Sequence, residues 1–386
     1  MSRHSAFPAI LSLVLFSTTA SAGTKPLVEM TDNSGRAHCG RVEVYTKSTI
    51  TLMQTDGRLR ELKRRDIKSF KKIAARFEPK TASEVATDLG SEIGKGYVVK
   101  TTQHYVVARP SKSKTSYGSV FENVFNAFHY QFRRRNIPLQ KPEFPLVAIV
   151  FRDQRSFAEY AAKDGVRVVP GVLGYYHRHT NRVAVFESTR TAALDDAAPS
   201  STVVAGNIAG RSGMNSNLAD TITHETMHQV GFNTGVHPRR GNMPKWIIEG
   251  LAMTFEAPGF LTTSGPGKAG TRLNRERFVW FRNYQQTRRP KKSLRTFIEA
   301  DGLFRSKALD AYSQAWAMSF FFLDQPARSY KFRKYLNAVT TRDTTKGYSK
   351  ADRVRDFEAA FGEIERVEVD FLRAMKKLNV GSVASR

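Results

Sequence analysis

The sequence predicts an α+β fold, with a small β module in front, a mixed-sheet lobe behind it and a helical lobe at the C-terminal end. Three observations carry the prediction. Residues 25–72 and 97–186 alternate apolar with polar positions or run into short β-branched stretches, of which Leu146–Phe151 is the clearest. From Asn274 onward the chain reads as helical. Between the two lies an H-E-x-x-H pattern, His224-Glu225-Thr226-Met227-His228. Glu225 is the one charged residue between Thr221 and Val230, as expected of a helix at the floor of a cleft.

Composition bounds the partners. With 386 residues and 40% apolar content, the chain can bury a substantial core and is long enough for two or three domains, which excludes a disordered protein. Lys and Arg number 61 against 35 Asp and Glu, a formal charge of +26 that favours anionic surfaces and polymers. The basic clusters Lys63-Arg64-Arg65, Arg133-Arg134-Arg135, Arg239-Arg240, Arg288-Arg289 and Lys291-Lys292 are spread along the chain. Such scatter describes a solvated cationic surface, and without a DNA-reading motif no specific nucleic-acid partner is expected.

Taken in order, residues 1–22 have a weakly basic start at Arg3 and His4, an apolar core over 9–16 and Ala20-Ser21-Ala22 as a cleavage signal, the pattern of a secretory signal peptide. That core is too short to span a bilayer and no later run of eighteen apolar residues exists, so a secreted or periplasmic protein with no transmembrane anchor is expected. The single cysteine, Cys39, cannot make an internal disulfide and reads as a small buried apolar residue. In residues 25–72, Val42, Val44, Ile50 and Leu52 alternate with polar neighbours, and Thr55-Asp56-Gly57-Arg58 signals a hairpin turn in a small barrel-like module. Residues 73–95 are polar and contain Pro79, so they read as a linker with a short helix around 82–89.

The next lobe opens with a hairpin of 97–100 and 104–108. An amphipathic helix follows over 117–134, with Phe121, Val124, Phe125, Phe128 and Phe132 on one face. Then come a central strand at Leu146–Phe151, a helix over 156–163, and a second hairpin of 172–176 with 182–186. His177 and His179 near its turn have a spacing that can bind metal, but turn exposure explains them more simply. Residues 191–217, rich in Ala, Ser, Gly and Asn, read as a mobile loop. Asp220 suits a helix start with Gly231 or Gly235 as its stop, and Pro244 suits the first position of the next helix. Helices are expected over 278–286, 312–323, 329–339, 356–361 and 364–378, with a flexible tail at 379–386.

The chemistry follows from the spacing. His224 and His228, four apart on a helix, can turn their imidazoles to one ion, while Glu225 stands beside that face within reach of a metal-bound water. Glu249, on the following helix, supplies a carboxylate. Three protein ligands and one open place are the arrangement of a catalytic zinc, and one cysteine excludes a cysteine-rich structural site. Glu256, two turns beyond Glu249, is an alternative ligand. Gly250 removes side-chain bulk beside Glu249, so that its helix can approach a partner closely.

His224-Glu225-x-x-His228 followed by Pro244-x-Trp246-x-x-Glu249-Gly250-x-Ala252 resembles the gluzincin, or peptidase MA-like, branch of zinc metallopeptidases. More narrowly, it is similar to the peptidase-MA-like domain of unknown function common in planctomycete envelope proteins. The similarity runs from about Gly96 to near Gly362 and includes Pro170-Gly-Val-Leu-Gly-Tyr-Tyr176, Asn181-Arg-Val-Ala-Val185 and Tyr312-Ser-Gln-Ala-Trp-Ala317. It implies a zincin-like catalytic domain over 96–378, in which His224, His228 and Glu249 hold Zn2+ and Glu225 is the general base. It also implies an oxyanion-stabilising donor from the helical lobe, for which Tyr312 is favoured over His237. Met253 departs from the pattern, standing where the thermolysin-like members carry a carboxylate behind the ligands; the aminopeptidase G-x-M-E-N signature is missing too. Residues 25–72 resemble the SH3-like Sla-homology modules at the front of planctomycete secreted proteins.

The expected function is a secreted zinc metallopeptidase acting on peptides or proteins of the cell envelope. Strand 182–186, just before the metal helix, is the expected edge for an extended peptide to join. The alternative is a catalytically inactive envelope-binding protein that uses the fold as a scaffold and its cationic surface and front module for binding. Retention of Glu225 together with all three ligands favours the enzyme.

Overall fold

The computed structural model describes residues 25–187, 216–265 and 269–378. The expected signal segment, nearly all of the loop 191–217 and the tail 379–386 lie outside the described residues. No helix among the described residues is long and apolar enough to cross a membrane.

The front module is one antiparallel sheet of β1 (Leu27–Asp32), β2 (Ala37–Tyr45), β3 (Thr49–Met53), β4 (Leu59–Lys63) and β5 (Ile67–Ala74), in the order β4-β3-β2-β1-β5. A single 3-10 turn, Arg64–Asp66, sends the chain back so that β5 pairs with β1. The turn at 55–58 joins β3 to β4 as its sequence predicts, with Gly57 at φ +84°. Alternation puts Val28, Met30, Ile50, Leu52 and Leu62 in one small core. Such a core is limited, and Met53 and Leu59 form a second small cluster with Phe77 of residues 73–95 and Phe144 of the following lobe.

Residues 73–95 do more than link. They contain α1 (Ala82–Ile93), closed by a reciprocal cap in which the Thr81 side chain accepts from Glu84 N–H and the Glu84 carboxylate accepts from Thr81 N–H. Val85 and Leu89 of α1 are buried on the second sheet. This is the short helix expected around 82–89, continued by one turn to Ile93, with Val85, Leu89 and Ile93 on one face.

The second sheet consists of β6 (Tyr97–Thr101), β7 (Tyr105–Pro110), β8 (Leu146–Phe151), β9 (Gly174–His177) and β10 (Arg182–Phe186), in the order β6-β7-β8-β10-β9. β8 runs parallel to β7 and β10, while β6 and β9 are antiparallel edges. All six residues of β8 are buried, as a central strand demands. One face carries α1 and α3 (Gln154–Lys163), through Val85, Leu89 and Phe157. The other carries α2 (Tyr117–Arg133) and α4 (Ser216–Asn233), whose Phe121, Phe128, Ile222 and Val230 pack on Val107, Ala148, Val183 and Val185.

This order corrects one expectation. Strand 182–186 is not an edge, because it pairs with β8 on one side and β9 on the other; the rim strand is β9. Every residue of β10 is buried, the mark of an interior strand, whereas β9 is half-buried from Tyr175 to His177.

The helical lobe holds α5 (Lys245–Phe255), α6 (Arg275–Thr287), α7 (Leu294–Glu299), α8 (Leu303–Ser306), α9 (Ala308–Asp324), α10 (Pro326–Thr340), α11 (Lys350–Phe361) and α12 (Ile364–Lys377). α9 is its centre, buried almost throughout, and α5 lies directly on it. A Cβ added at Gly250 would meet Ala315 O and Ser319 Oγ at 2.3 Å each, so the close crossing of α5 and α9 requires glycine there. Trp246 stacks on Tyr335 with centroids 5.7 Å apart, fixing the start of α5 on α10.

Candidate metal centre

α4 is locked in rotation by the sheet beneath it. Gln229 Nε2 donates to Val147 O and Asn181 O, both at 2.9 Å, and Asn233 Nδ2 donates to Asn181 Oδ1 at 2.7 Å. These bonds set the direction of the opposite face, where His224 and His228 sit one turn apart. Across from them, Gly250 lets α5 seat deeply on α9, and the neighbouring Glu249 carboxylate meets both imidazoles.

The three groups converge. His224 Nε2 and His228 Nε2 are 3.0 Å apart, and Glu249 Oε2 lies 3.5 Å from the first and 3.6 Å from the second. A tetrahedral zinc with bonds of about 2.0–2.1 Å has ligand–ligand edges of about 3.3–3.4 Å, so these three atoms already outline one triangular face of such a site. Among the described residues this is the single group of histidine, cysteine and acidic side chains with metal-holding geometry. His177 and His179 do not join it; their rings lie 5.6 Å apart at the hairpin turn, and His177 Nδ1 contacts Thr180 Oγ1.

Glu256 is not a fourth ligand. Seven residues from Glu249 put it on the same face but about 10 Å further along the axis, behind the imidazole instead of in front of it. From there Glu256 Oε1 accepts from His224 Nδ1 at 2.8 Å, which turns the ring so that Nε2 points to the centre. Asn274 completes the support: its Nδ2 donates to Glu256 Oε2 at 2.8 Å and its Oδ1 accepts from Arg277 N–H as the cap of α6. The carboxylate that position 253 lacks is thus supplied one turn later. Sequence reasoning names Asn274 only as the point where the helical pattern begins and gives it no part in this cluster, although an asparagine preceding a helix is a recognisable cap signal.

Electrostatics reflect the crowding. Burial alone would depress the His224 imidazole, but bonds to Glu249 and Glu256 and the nearby Glu225 charge hold it well above its ordinary pKa. Burial would likewise raise Glu249; the His228 charge and the bonds from both histidines prevail and keep its carboxyl well below the usual range. With no Lys or Arg in ion-pairing reach of Glu225, Glu249 or Glu256 among the described residues, the donor set suits a divalent cation.

Glu225 stands beside the triangle. Its Oε2 accepts the Tyr176 N–H of β9 at 2.7 Å, which holds the carboxylate in place and leaves Oε1 for a proton. Tyr312, near the start of α9, is half-buried with its ring edge-on to Phe304 at 5.4 Å. Burial raises its hydroxyl pKa, and the Glu249 and Glu225 carboxylates raise it further, so the hydroxyl stays protonated. His237 is enclosed instead, 2% exposed, with Nδ1 against Met243 Sδ at 3.2 Å. Burial, aided by the His228 charge, lowers its pKa to about 3.

The β module reaches this region through the basic loop that joins α4 to α5. Arg239 Nη1 donates to Gly57 O at 2.7 Å and its Nη2 to Arg178 O at 2.9 Å, tying together the module, the β9–β10 turn and the loop.

Residues 218–345 match a family described as a protein of unknown function (DUF1570), a span that holds the His224, His228 and Glu249 cluster together with Glu225, Glu256, Asn274 and Tyr312. No curated protein matches the chain.

Proposed function

We propose that this chain is a secreted or periplasmic zinc peptidase of the gluzincin type, with proteins or peptides of the cell envelope as its substrates. The observation that carries the reading is the convergence of His224 Nε2, His228 Nε2 and Glu249 Oε2 within 3.0–3.6 Å, with an unliganded carboxylate, Glu225, next to them. Zinc held there would supply Lewis acidity, polarising a carbonyl and acidifying water.

The chain's own groups then divide the work. Glu225, anchored through Oε2, accepts the proton of the attacking water on Oε1 and passes it to the leaving amine. The protonated Tyr312 hydroxyl donates to the developing oxyanion, a role the enclosed His237 ring is poorly placed to take. The exposed side of β9 offers the rim along which an extended peptide would add as a further strand. The signal segment expected over 1–22 supports export.

The test combines metal analysis with hydrolysis of a peptide library by the purified mature chain. The expectation is about one zinc per chain, cleavage that chelator abolishes, and a Glu225→Gln variant that keeps its zinc but turns over at least about 10²–10⁴ times more slowly. Absence of metal from the wild type, or cleavage that survives in Glu225→Gln, would overturn the proposal. Zinc without cleavage in either form would instead favour the scaffold.

A further inference from the structure

A second concentration of charge shares no residue with the metal centre. It is a cavity of about 260 Å³ between the end of α2, the end of α9 and the start of α10. Four guanidinium groups, from Arg134, Arg135, Arg272 and Arg333, line it against a single carboxylate, Asp324. Like charges with a free choice spread into water; here hydrogen bonds to backbone carbonyls keep them together. Arg135 Nε donates to Leu323 O at 2.9 Å and its Nη1 to Gln131 O at 2.8 Å, while Arg333 Nη1 donates to Asn136 O at 3.0 Å. None of these acceptors carries a charge, so the guanidiniums are oriented without being neutralised.

The remaining donors are undersupplied. Asp324 Oδ1 lies 3.2 Å from Arg272 Nη2, yet Arg272 Nε is buried with no partner among the described residues. Arg134 pairs with no carboxylate among the described residues. Burial first, then the charges of Arg134 and Arg272, draw the Arg135 pKa down to about 10. The N-terminal pole of α10, a fifteen-residue helix opening at Pro326, adds to the positive field. At the rim the Tyr330 ring, 51% exposed, offers a flat apolar surface with the Arg333 guanidinium 5.0 Å from its centroid.

We propose that this cavity binds a small molecule through a tetrahedral oxyanion, phosphate or sulfate, gripped by Arg134 and Arg272, with the rest of the ligand resting on Tyr330. A guanidinium fork matches the paired oxygens of carboxylate and phosphate alike, but a tetrahedral oxyanion carries enough oxygens to engage two forks at once, where a carboxylate has only one pair. The inference is independent of any metal at His224.

The test uses the full mature chain with inorganic phosphate, sulfate and acetate at matched ionic strength, followed by calorimetry and thermal unfolding. Saturable binding is expected for phosphate or sulfate, at least about tenfold tighter than for acetate, with a rise in Tm that grows with ligand as mass action requires. Whichever of the two binds tighter identifies the class of headgroup. Arg134→Gln, at an exposed position that folding does not depend on, and Arg272→Gln should each weaken binding about tenfold or more. Arg155→Gln, whose guanidinium faces solvent beside Glu159, should not. Binding that never saturates, equal affinity for all three anions, or an Arg134→Gln variant that responds like the wild type would overturn the proposal.

Discussion

The metal centre and the arginine cavity are inverses of one another. In the first, three carboxylates gather around two imidazoles with no Lys or Arg in ion-pairing reach among the described residues; in the second, four guanidiniums gather around one carboxylate. Their construction is nevertheless the same. Donors that carry no charge, Tyr176 N–H and Asn274 Nδ2, aim the carboxylates, and uncharged carbonyls such as Leu323 O and Asn136 O aim the guanidiniums. Each site is oriented but only partly neutralised, the first by its imidazoles and the second by Asp324, so each suits a partner of opposite sign. The two differ in weight: among 61 basic and 35 acidic residues a crowd of arginines arises easily, whereas a buried acidic cluster paired with imidazoles alone, and with no Lys or Arg within ion-pairing distance among the described residues, is hard to produce by accident.

The largest expected effect separates chemistry from binding at the acidic site. Tyr312→Phe should lower kcat by about 10²–10³, roughly 2.7–4 kcal/mol, with KM and zinc content unchanged; unaltered turnover would remove Tyr312 from the reaction. Next in size, Glu256→Gln should weaken zinc binding about 10- to 100-fold in competition with a chelator, because His224 loses the carboxylate that orients it. If zinc affinity does not move, Glu256 is a packing residue alone. The smallest effect is a null result that sharpens the contrast: combining Glu256→Gln with Arg134→Gln should leave zinc and phosphate free energies additive within about 0.5 kcal/mol. A larger coupling would show that the two sites are one.

Legibility in the sequence followed the range of the interaction. His224, Glu225, His228 and Glu249 lie in two short segments whose helical registers are readable, so their convergence could be anticipated from spacing. Gly250 was legible for the same reason, since close helix crossing demands a residue without a side chain. The rank of β9 and β10 in the sheet was not, because hairpin pairing is local while the choice of which strand joins β8 is settled by the whole lobe. Glu256 was visible as the alternative to Glu249 but its contact with His224 was not: periodicity gives its direction around the helix and says nothing of which side of an imidazole it will occupy. The arginine cavity was hidden entirely. Arg134 and Arg135 sat in a triplet that read as solvated surface, and only the tertiary fold carries Arg272 and Arg333 to them.

The bond from Tyr176 N–H to Glu225 has a consequence for how occupancy and reactivity communicate. That amide belongs to the outermost strand and points away from β10, so it is also one of the donors that an incoming chain would claim. Any acceptor that captures it takes it from the carboxylate and leaves Glu225 Oε2 free of that bond. If the chain hydrolyses peptides as proposed, loading the rim and freeing Glu225 would be a single event.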